Sequence, residues 1–118
     1  MADVYLTQSL CMNQNRQGGI IGLKGTLIGR RIEIRNNVEV VLGRDPDQVD
    51  VVIHGSKVSR MHCGIRFNYY GNDYTICDYS KNGTFIGEEK IPLHKEKKRV
   101  PSGTILTLGN EENVIQLN

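Results

Sequence analysis

Three short segments carry the residues of this chain that could perform chemistry. They are Gly43 with Arg44, the run Ser-Arg-Met-His at 59–62, and the run Ser-Lys-Asn-Gly-Thr-Phe at 80–85. Proteins bind a phosphate dianion with cations and with hydroxyl or backbone donors that converge from several loops. Arg44, Ser59 and Arg60 supply these donor types, and Arg44 follows an apolar run that predicts a strand. The sequence therefore predicts an anion site built from loops.

Ser59 and His62 raise a second chemical possibility, because a serine near a histidine can be a catalytic nucleophile. Such catalysis also needs a group that orients the histidine and donors that stabilise an oxyanion. Neither is recognisable as a motif beside Ser59 or His62. We therefore expect binding and no catalysis, so that the chain itself is not an enzyme.

The elements that must position these segments are short strands. The chain has 118 residues, which suits one domain with one hydrophobic core. Its 13 glycines and 5 tyrosines, with many valines and isoleucines and no sustained helical spacing of apolar residues, favour strands joined by tight turns. No apolar stretch approaches the roughly 20 residues that a membrane span requires. We expect an all-β domain that does not enter a membrane.

Turn signals divide the chain into ten predicted strands. These cover residues 20–27, 31–35, 38–42, 49–53, 62–69, 73–78, 84–86, 90–93, 104–108 and 113–117. Two of the turns, Asn36 with Asn37 and Gly71 with Asn72, predict hairpins, because both pairs tolerate positive φ. Many short antiparallel strands indicate a sandwich whose loops collect at its two ends.

The first residues differ in composition from the rest. Residues 1–18 are polar and predict a flexible lead-in, which places the domain at residues 19–118. The lead-in lacks the pattern of a secretory signal, so we expect an intracellular protein. The three cysteines, Cys11, Cys63 and Cys77, form no CxxC pair and predict reduced thiols without a disulfide or zinc site.

In order and spacing the three segments resemble the forkhead-associated (FHA) domain family. The resemblance covers roughly residues 38–108 and includes the Gly-Arg, Ser-x-x-His and Asn-Gly-Thr signatures of that family. It implies an FHA-type β-sandwich of about 10–11 mostly antiparallel strands, with the binding loops at one end. It also implies a module that recruits partners by binding phosphothreonine peptides, without a cofactor or metal.

The resemblance assigns roles to individual residues. By it, Arg44, Ser59 and Arg60 contact the phosphate, Asn82 binds the peptide main chain, and Lys81 is a plausible second cation. Lys57 could contact the phosphate or a peptide side chain, although an ordinary solvated lysine is the open alternative. The binding loops are supported by a further set of residues: Gly43, His62, Ser80, Gly83 and Thr84.

Several alternatives stay open beside this reading. The chain could be a phosphate-independent scaffold, or a nucleic-acid binder that uses the basic run at 94–99, although a solvated loop is the better interpretation of that run. Thr7 precedes a glutamine, as at sites favoured by DNA-damage kinases, so phosphorylated Thr7 could drive self-association. The resemblance also favours a nuclear protein of a DNA-damage, cell-cycle or meiotic checkpoint, with the module as part of a protein kinase.

Overall fold

Segments rich in β-branched and aromatic residues form most of the structure. The computed structural model describes residues 17–118, which contain eleven strands and one short 3-10 helix, Gly25–Leu27. The strands are β1 (Gly18–Lys24), β2 (Arg31–Ile34), β3 (Glu39–Gly43), β4 (Val51–Val52), β5 (Cys63–Asn68), β6 (Asp73–Asp78), β7 (Thr84–Ile86), β8 (Ile91–Pro92), β9 (Lys97–Pro101), β10 (Ile105–Leu108) and β11 (Val114–Leu117). Thr7, Cys11 and all of the predicted lead-in up to residue 16 lie outside the described residues.

The strands form two sheets. One has six strands in the order β2-β1-β11-β10-β7-β8, and the other has five in the order β4-β3-β5-β6-β9. β3 and β4 are parallel, and the other paired strands are antiparallel. The predicted all-β sandwich of mostly antiparallel strands is confirmed.

Side chains from both sheets share one core. In β6, the side chains of Tyr74 and Ile76 are fully buried while their neighbours along the strand are half-buried, which is the alternation expected of a strand with one face on a core. The largest fully buried side chains are Tyr74, Phe67, Ile20, Ile34, Leu42, Ile53, Ile65, Ile76, Leu106, Leu108, Ile115 and Leu117. Burying each contributes roughly 1.5–3 kcal/mol and fixes the frame that carries the loops.

The two predicted hairpins have different outcomes. Gly71 and Asn72 do connect β5 to β6 as an antiparallel hairpin, and Asn72 has a φ of 54°. The hairpin predicted at Asn36 and Asn37 is wrong, because β2 pairs with β1 in one sheet and β3 pairs with β4 and β5 in the other. The segment crosses between the sheets. Asn36 holds it there by accepting a 2.9 Å hydrogen bond from the backbone N–H of Tyr69.

The basic run at 94–99 is the second correction. From Lys97 onward it is not a loop but strand β9, which pairs with β6 at the edge of the five-stranded sheet. Lys97, Lys98 and Arg99 are exposed, and Val100 alone among the residues of this strand is buried. The strand therefore lacks the apolar alternation by which β-structure is recognised in a sequence.

Residues 17–118 include no helix with the length and hydropathy needed to cross a bilayer. The same residues hold no group of three potential metal ligands among histidine, cysteine and carboxylate side chains. Cys63 and Cys77 are free thiols. Burial raises the pKa of Cys63, so its thiol stays protonated and unreactive.

Candidate functional site

The five-stranded sheet brings the three predicted segments to one end of the sandwich. β3 ends at Gly43, β5 begins at Cys63 and β6 ends at Asp78. Cys63 is opposite Leu42 on one side and opposite Asp78 on the other. The loops that leave these three strand ends must therefore lie side by side, and they carry Arg44, residues 59–62 and residues 80–83.

Gly43 allows two of the loops to approach each other closely. A Cβ atom at this position would overlap the backbone carbonyl of Arg60. The backbone N–H of Arg44 donates to the carbonyl of Ser59 at 2.9 Å, and that of Asp45 donates to the carbonyl of Arg60 at 3.2 Å. These bonds continue the strand pairing beyond β3 and fix Arg44 next to the Ser59 loop.

The guanidinium of Arg44 is partly fixed and partly free. Its Nε donates to the carbonyl of Val58 at 3.2 Å. Its terminal nitrogens form no hydrogen bond or ion pair within residues 17–118, and the residue is exposed. One edge of the planar group is thus anchored, while the donors of the other edge remain for a ligand.

Ser59 is held by hydrogen bonds that spare its own hydroxyl hydrogen. Its hydroxyl oxygen accepts from the backbone N–H of Lys81 at 2.8 Å, and its backbone N–H donates to Nδ1 of His62 at 3.0 Å. Because a hydroxyl can both accept and donate, the hydrogen of Ser59 remains available. The first bond also ties the loop at residues 80–83 to the loop at 59–62.

His62 is fully buried, and both of its ring nitrogens contact backbone groups. Nδ1 accepts from Ser59, so Nε2 carries the proton and donates to the carbonyl of Gly83 at 2.8 Å. Burial lowers the pKa of His62, against the opposing effects of the Gly83 hydrogen bond and the Asp78 charge, which favours this neutral form. Neither nitrogen is hydrogen-bonded to the Ser59 hydroxyl, so the geometry differs from that of an activated nucleophile.

Asp78 is a residue that sequence reasoning missed. Its buried Oδ1 accepts from the backbone N–H and hydroxyl of Ser80, at 3.0 and 2.6 Å, and from the hydroxyl of Thr84 at 2.9 Å. Its Oδ2 accepts from the backbone N–H of Lys95 at 2.9 Å. Burial opposes ionisation, but these hydrogen bonds outweigh it and lower the pKa of Asp78. One carboxylate therefore fastens two loops.

The turn at residues 80–83 presents Asn82 to solvent. Gly83 has a φ of 103°, and its N–H donates to the Ser80 hydroxyl at 2.8 Å. Nδ2 of Asn82 donates to the carbonyl of Lys57 at 3.3 Å. The position of Lys57 differs from that of the other predicted binding residues, because its carbonyl holds Asn82 while Lys57 is not among the residues that line the groove.

A groove of about 870 Å³ lies where these loops meet. It is lined by Arg44, Gly55, Ser56, Val58, Ser59, Arg60, Met61, Tyr79, Lys81, Asn82 and Lys95. Four of these residues are cations and none carries a carboxylate. None of the four cations belongs to an ion pair between described residues. We name this surface the cationic groove.

A carboxylate close to the cationic groove is already engaged. Asp45 accepts from the backbone N–H of Asp47 at 3.0 Å and from Nε2 of Gln48 at 2.7 Å. These two bonds, with smaller contributions from the charges of Arg60 and Arg44, lower the pKa of Asp45. The groove therefore offers guanidinium, ammonium and hydroxyl donors to an external anion, and it has the donor chemistry of a phosphate site.

The sequence did not assign Ser56, Met61, Tyr79 or Lys95 to the site. Lys95 is the informative case, since it stands in the basic run, ten residues after Phe85, the last residue of the third predicted segment. It reaches the groove because Asp78 binds its backbone. Asp78 lies two residues before Ser80, and this Asp-x-Ser spacing is a local signal that could have been read as a turn cap.

Comparisons with known proteins agree with this architecture. A family model described as FHA domain matches residues 40–109. The FHA domain of CT664 protein from Chlamydia trachomatis superposes with a TM-score of 0.73 at 23% identity, over 86% of this chain and 96% of that one. Curated protein sequences give no match.

Two further solved structures are similar in fold. The MEK1 FHA domain in complex with a HOP1 phosphothreonine peptide has a TM-score of 0.68 and 15% identity, over 85% of this chain and 93% of that one. A structure described as an analysis of phosphothreonine-dependent FHA domain interactions has a TM-score of 0.68 and 22% identity, over 87% and 96%. At these identities the likeness concerns the fold.

Proposed function

Because the chain belongs to the FHA domain family, whose model matches residues 40–109, we propose that its cationic groove binds a phosphothreonine on a partner protein. The observation that carries this proposal is the charge of the groove. Arg44, Arg60, Lys81 and Lys95 line it without a carboxylate among the lining residues and without an internal ion pair. Such a surface lacks the counter-charge that a phosphate dianion supplies.

Five of the predicted binding residues line the groove with a donor or an acceptor left for the ligand: Arg44, Ser59, Arg60, Lys81 and Asn82. We assign the strongest phosphate contacts to the terminal nitrogens of Arg44 and the hydroxyl hydrogen of Ser59, since neither forms a hydrogen bond within the described residues. Arg60 and Lys81 add charge around them. The side-chain amide nitrogen of Asn82 donates to the carbonyl of Lys57. The side-chain oxygen of Asn82 can therefore accept a hydrogen bond from a main-chain N–H of the peptide.

A preference for phosphothreonine over phosphoserine is part of the proposal. Val58 and Met61 line the same groove as Ser59 and offer apolar surface to a γ-methyl group. Burying one methyl group contributes about 0.8 kcal/mol, or roughly fourfold in affinity. Two structural neighbours support the same ligand class: one belongs to phosphothreonine-dependent FHA domain interactions, and the other is in complex with a phosphothreonine peptide.

The test is a calorimetric titration with three peptides of one sequence that carry phosphothreonine, phosphoserine or unmodified threonine. We expect binding in that order of strength, with the unmodified peptide too weak to measure. Arg44→Ala should weaken phosphothreonine binding by about 10-fold to 150-fold, since hydrogen bonds to charged groups are worth roughly 1.5–3 kcal/mol.

The matched control is Arg35→Ala. Arg35 is exposed and adjacent to Asn36. Asn36 accepts a hydrogen bond from Tyr69, which follows β5 at the end of that strand opposite Cys63, so Arg35 is remote from the groove. This variant lowers the net charge by the same amount but should leave affinity within about twofold. Equal binding by the three peptides, or equal loss in both arginine variants, would contradict the proposal.

A phosphate-independent scaffold is the alternative for the same fold. It predicts that Arg44→Ala leaves partner binding unchanged. A nucleic-acid binder predicts instead that charge reversal at Lys97, exposed on β9, weakens binding and that affinity falls steeply with salt. The cationic groove favours the phosphopeptide, because its four cations come from different loops and line one groove together with Ser59, whereas Lys97 lies on a strand.

The biological setting belongs to the proposal as well. We propose that the module works without catalysis, as part of a larger nuclear signalling protein such as a checkpoint or meiotic kinase. We also propose that Thr7, which lies outside the described residues, is phosphorylated and occupies the groove of a second copy. Size measurement of a Thr7-phosphorylated chain tests this last point, and an unchanged monomer would contradict it.

A further inference from the structure

A second groove, of about 520 Å³, adjoins the cationic groove. The two share Lys81, Asn82 and Lys95, so the turn at residues 80–83 forms a ridge between them. The remaining lining residues are Asp78, Ser80, Gly83, Phe85, Pro92 and His94. We call this surface the side groove. When the phosphothreonine of an extended peptide lies in the cationic groove, a neighbouring side chain of the same peptide can reach the side groove.

The backbone that presents the side groove adopts an unusual conformation. His94 and Lys95 are consecutive and both have positive φ, of 56° and 63°. A non-glycine residue in this region costs roughly 1 kcal/mol, and the conformation persists only where its surroundings hold it. Here the N–H of Lys95 is bonded to the buried carboxylate of Asp78, and the N–H of Leu93 is bonded to the carbonyl of Thr84 at 3.0 Å. The loop is therefore fixed in one place.

The charge of the side groove is unbalanced. Lys81 and Lys95 both line it, and neither ammonium forms an ion pair within residues 17–118. Asp78 is the one carboxylate among the lining residues, but it is 5% exposed and both of its oxygens already accept hydrogen bonds. Phe85 and Pro92 add apolar surface to the same groove. The complementary ligand is an anionic group on a short apolar stem.

We propose that the side groove binds a second anionic group of the same peptide, within a few residues of the phosphothreonine. This inference rests on the proposed function of the cationic groove and adds a specificity site to it. Lys95 and Lys81 are the residues that contact the second anion. The anion is either the carboxylate of a glutamate or aspartate, or a second phosphate, because both present oxygen acceptors to an ammonium group.

The test uses peptides with one fixed phosphothreonine and a single variable residue, moved through the four positions on each side. Each position carries glutamine, glutamate or phosphoserine in turn. We expect one position at which glutamate binds roughly twofold to fivefold more tightly than glutamine, the range of an exposed ion pair. A larger gain for phosphoserine than for glutamate at that position would identify a second phosphate as the natural group.

Lys95→Gln should abolish the gain at that position, while Lys95→Arg should retain it. Both variants keep the backbone N–H that binds Asp78, and thermal unfolding followed by circular dichroism checks that they fold. Lys98→Gln is the control, since Lys98 is exposed on β9 and lines neither groove. It should leave the gain intact.

The outcomes separate the two proposals. If phosphothreonine peptides bind but no position prefers glutamate or phosphoserine, or if the preference survives Lys95→Gln, the side groove is not an anion site and the proposed function stands. If no phosphothreonine peptide binds, both proposals fail together.

Discussion

The backbone N–H of Lys81 donates to the hydroxyl oxygen of Ser59 across 2.8 Å, from one loop to another. The bond orients the Ser59 hydroxyl so that its hydrogen is the part left for a ligand. It also fixes the start of the turn that carries Asn82. A donor that is already oriented loses little freedom when an anion arrives, so more of the interaction energy appears as affinity.

Replacing Ser59 by alanine should weaken phosphopeptide binding more than it weakens the fold. Ser59→Ala removes one donor to the phosphate and leaves the N–H of Lys81 without its acceptor. We expect a loss of about 1–3 kcal/mol in binding, or roughly 5-fold to 150-fold, and about 1 kcal/mol in unfolding. Calorimetric titration and urea denaturation measure the two effects.

Ser56→Ala is the matched control for that experiment. Ser56 also lines the cationic groove, but its hydroxyl donates to Oε1 of Glu112 at 3.0 Å and its hydrogen is therefore committed. Affinity should stay within about twofold of the original. Equal losses for the two serine variants would contradict the role assigned to the Ser59 hydroxyl.

Acidification should destabilise the fold through His62. Burial lowers the pKa of His62 below its ordinary value of about 6.5, so the unfolded state takes up a proton more readily than the folded state. The stability is fully present above about pH 6.5 and is lost as the pH falls toward the lowered pKa. Urea denaturation between about pH 7.5 and 5.5 measures this loss.

The comparison for this prediction is His62→Gln, which cannot titrate in that window. The variant starts less stable, because a glutamine cannot reproduce both backbone hydrogen bonds of the imidazole. Its free energy of unfolding should nevertheless change less with pH than that of the original chain. Parallel pH profiles would assign the acid sensitivity to other groups.

Asp78→Asn should loosen two loops at once. An amide in place of the carboxylate directs N–H groups toward the N–H of Lys95 or the hydroxyls of Ser80 and Thr84, where donors already stand. We expect a loss of about 2–4 kcal/mol in unfolding, because buried donors lose a charged acceptor. Asp47 is exposed, and its carboxylate accepts no hydrogen bond from residues 17–118, so Asp47→Asn should change stability by less than about 0.5 kcal/mol.

Gly83→Ala and Gly87→Ala separate two reasons why a position requires glycine: a positive φ and a lack of space for a Cβ atom. Both positions have positive φ, of 103° and 79°, but a Cβ at Gly83 would lie 2.7 Å from the ring of Phe85 while one at Gly87 would meet nothing. Gly87→Ala should cost about 1 kcal/mol from the backbone alone. Gly83→Ala should cost more by about 1–3 kcal/mol, and it should also weaken peptide binding, because Gly83 accepts from His62. Equal costs in urea denaturation would contradict the packing argument.

The sequence predicted the strands well where turn chemistry and strand pairing agree. Gly71 and Asn72 join neighbours in one sheet, and the hairpin is correct. Asn36 and Asn37 have the same local signal, including a φ of 61° at Asn37, yet they lead from one sheet to the other. The conformation of a turn is a local property, whereas the choice of sheet depends on which faces the flanking strands bury. A short motif holds no information about that choice.

The candidate site also has residues that the sequence could predict and residues that it could not. The residues brought together by strand ends, Arg44, Ser59 and Asn82, could be predicted because their motifs are short and ordered along the chain. Lys95 could not, since its place depends on a hydrogen bond to Asp78, 17 residues earlier, and on a positive φ that lysine seldom adopts. The sequence likewise contained no signal that the carbonyl of Lys57 would hold the side chain of Asn82.

The cationic groove is held mainly by hydrogen bonds of the backbone and of uncharged side chains. The charged groups that take part are Nε of Arg44 and the carboxylates of Asp78, Glu112 and Glu39. Within residues 17–118, the side chains of Arg60, Lys81 and Lys95 form no ion pair and no hydrogen bond that supports the groove. At these three positions the side chain is therefore available for recognition and is not needed for the framework. Such a chain can change its preferred peptide by substitutions at these three positions without first losing its fold, which makes them the natural starting points for redirecting it to a new partner.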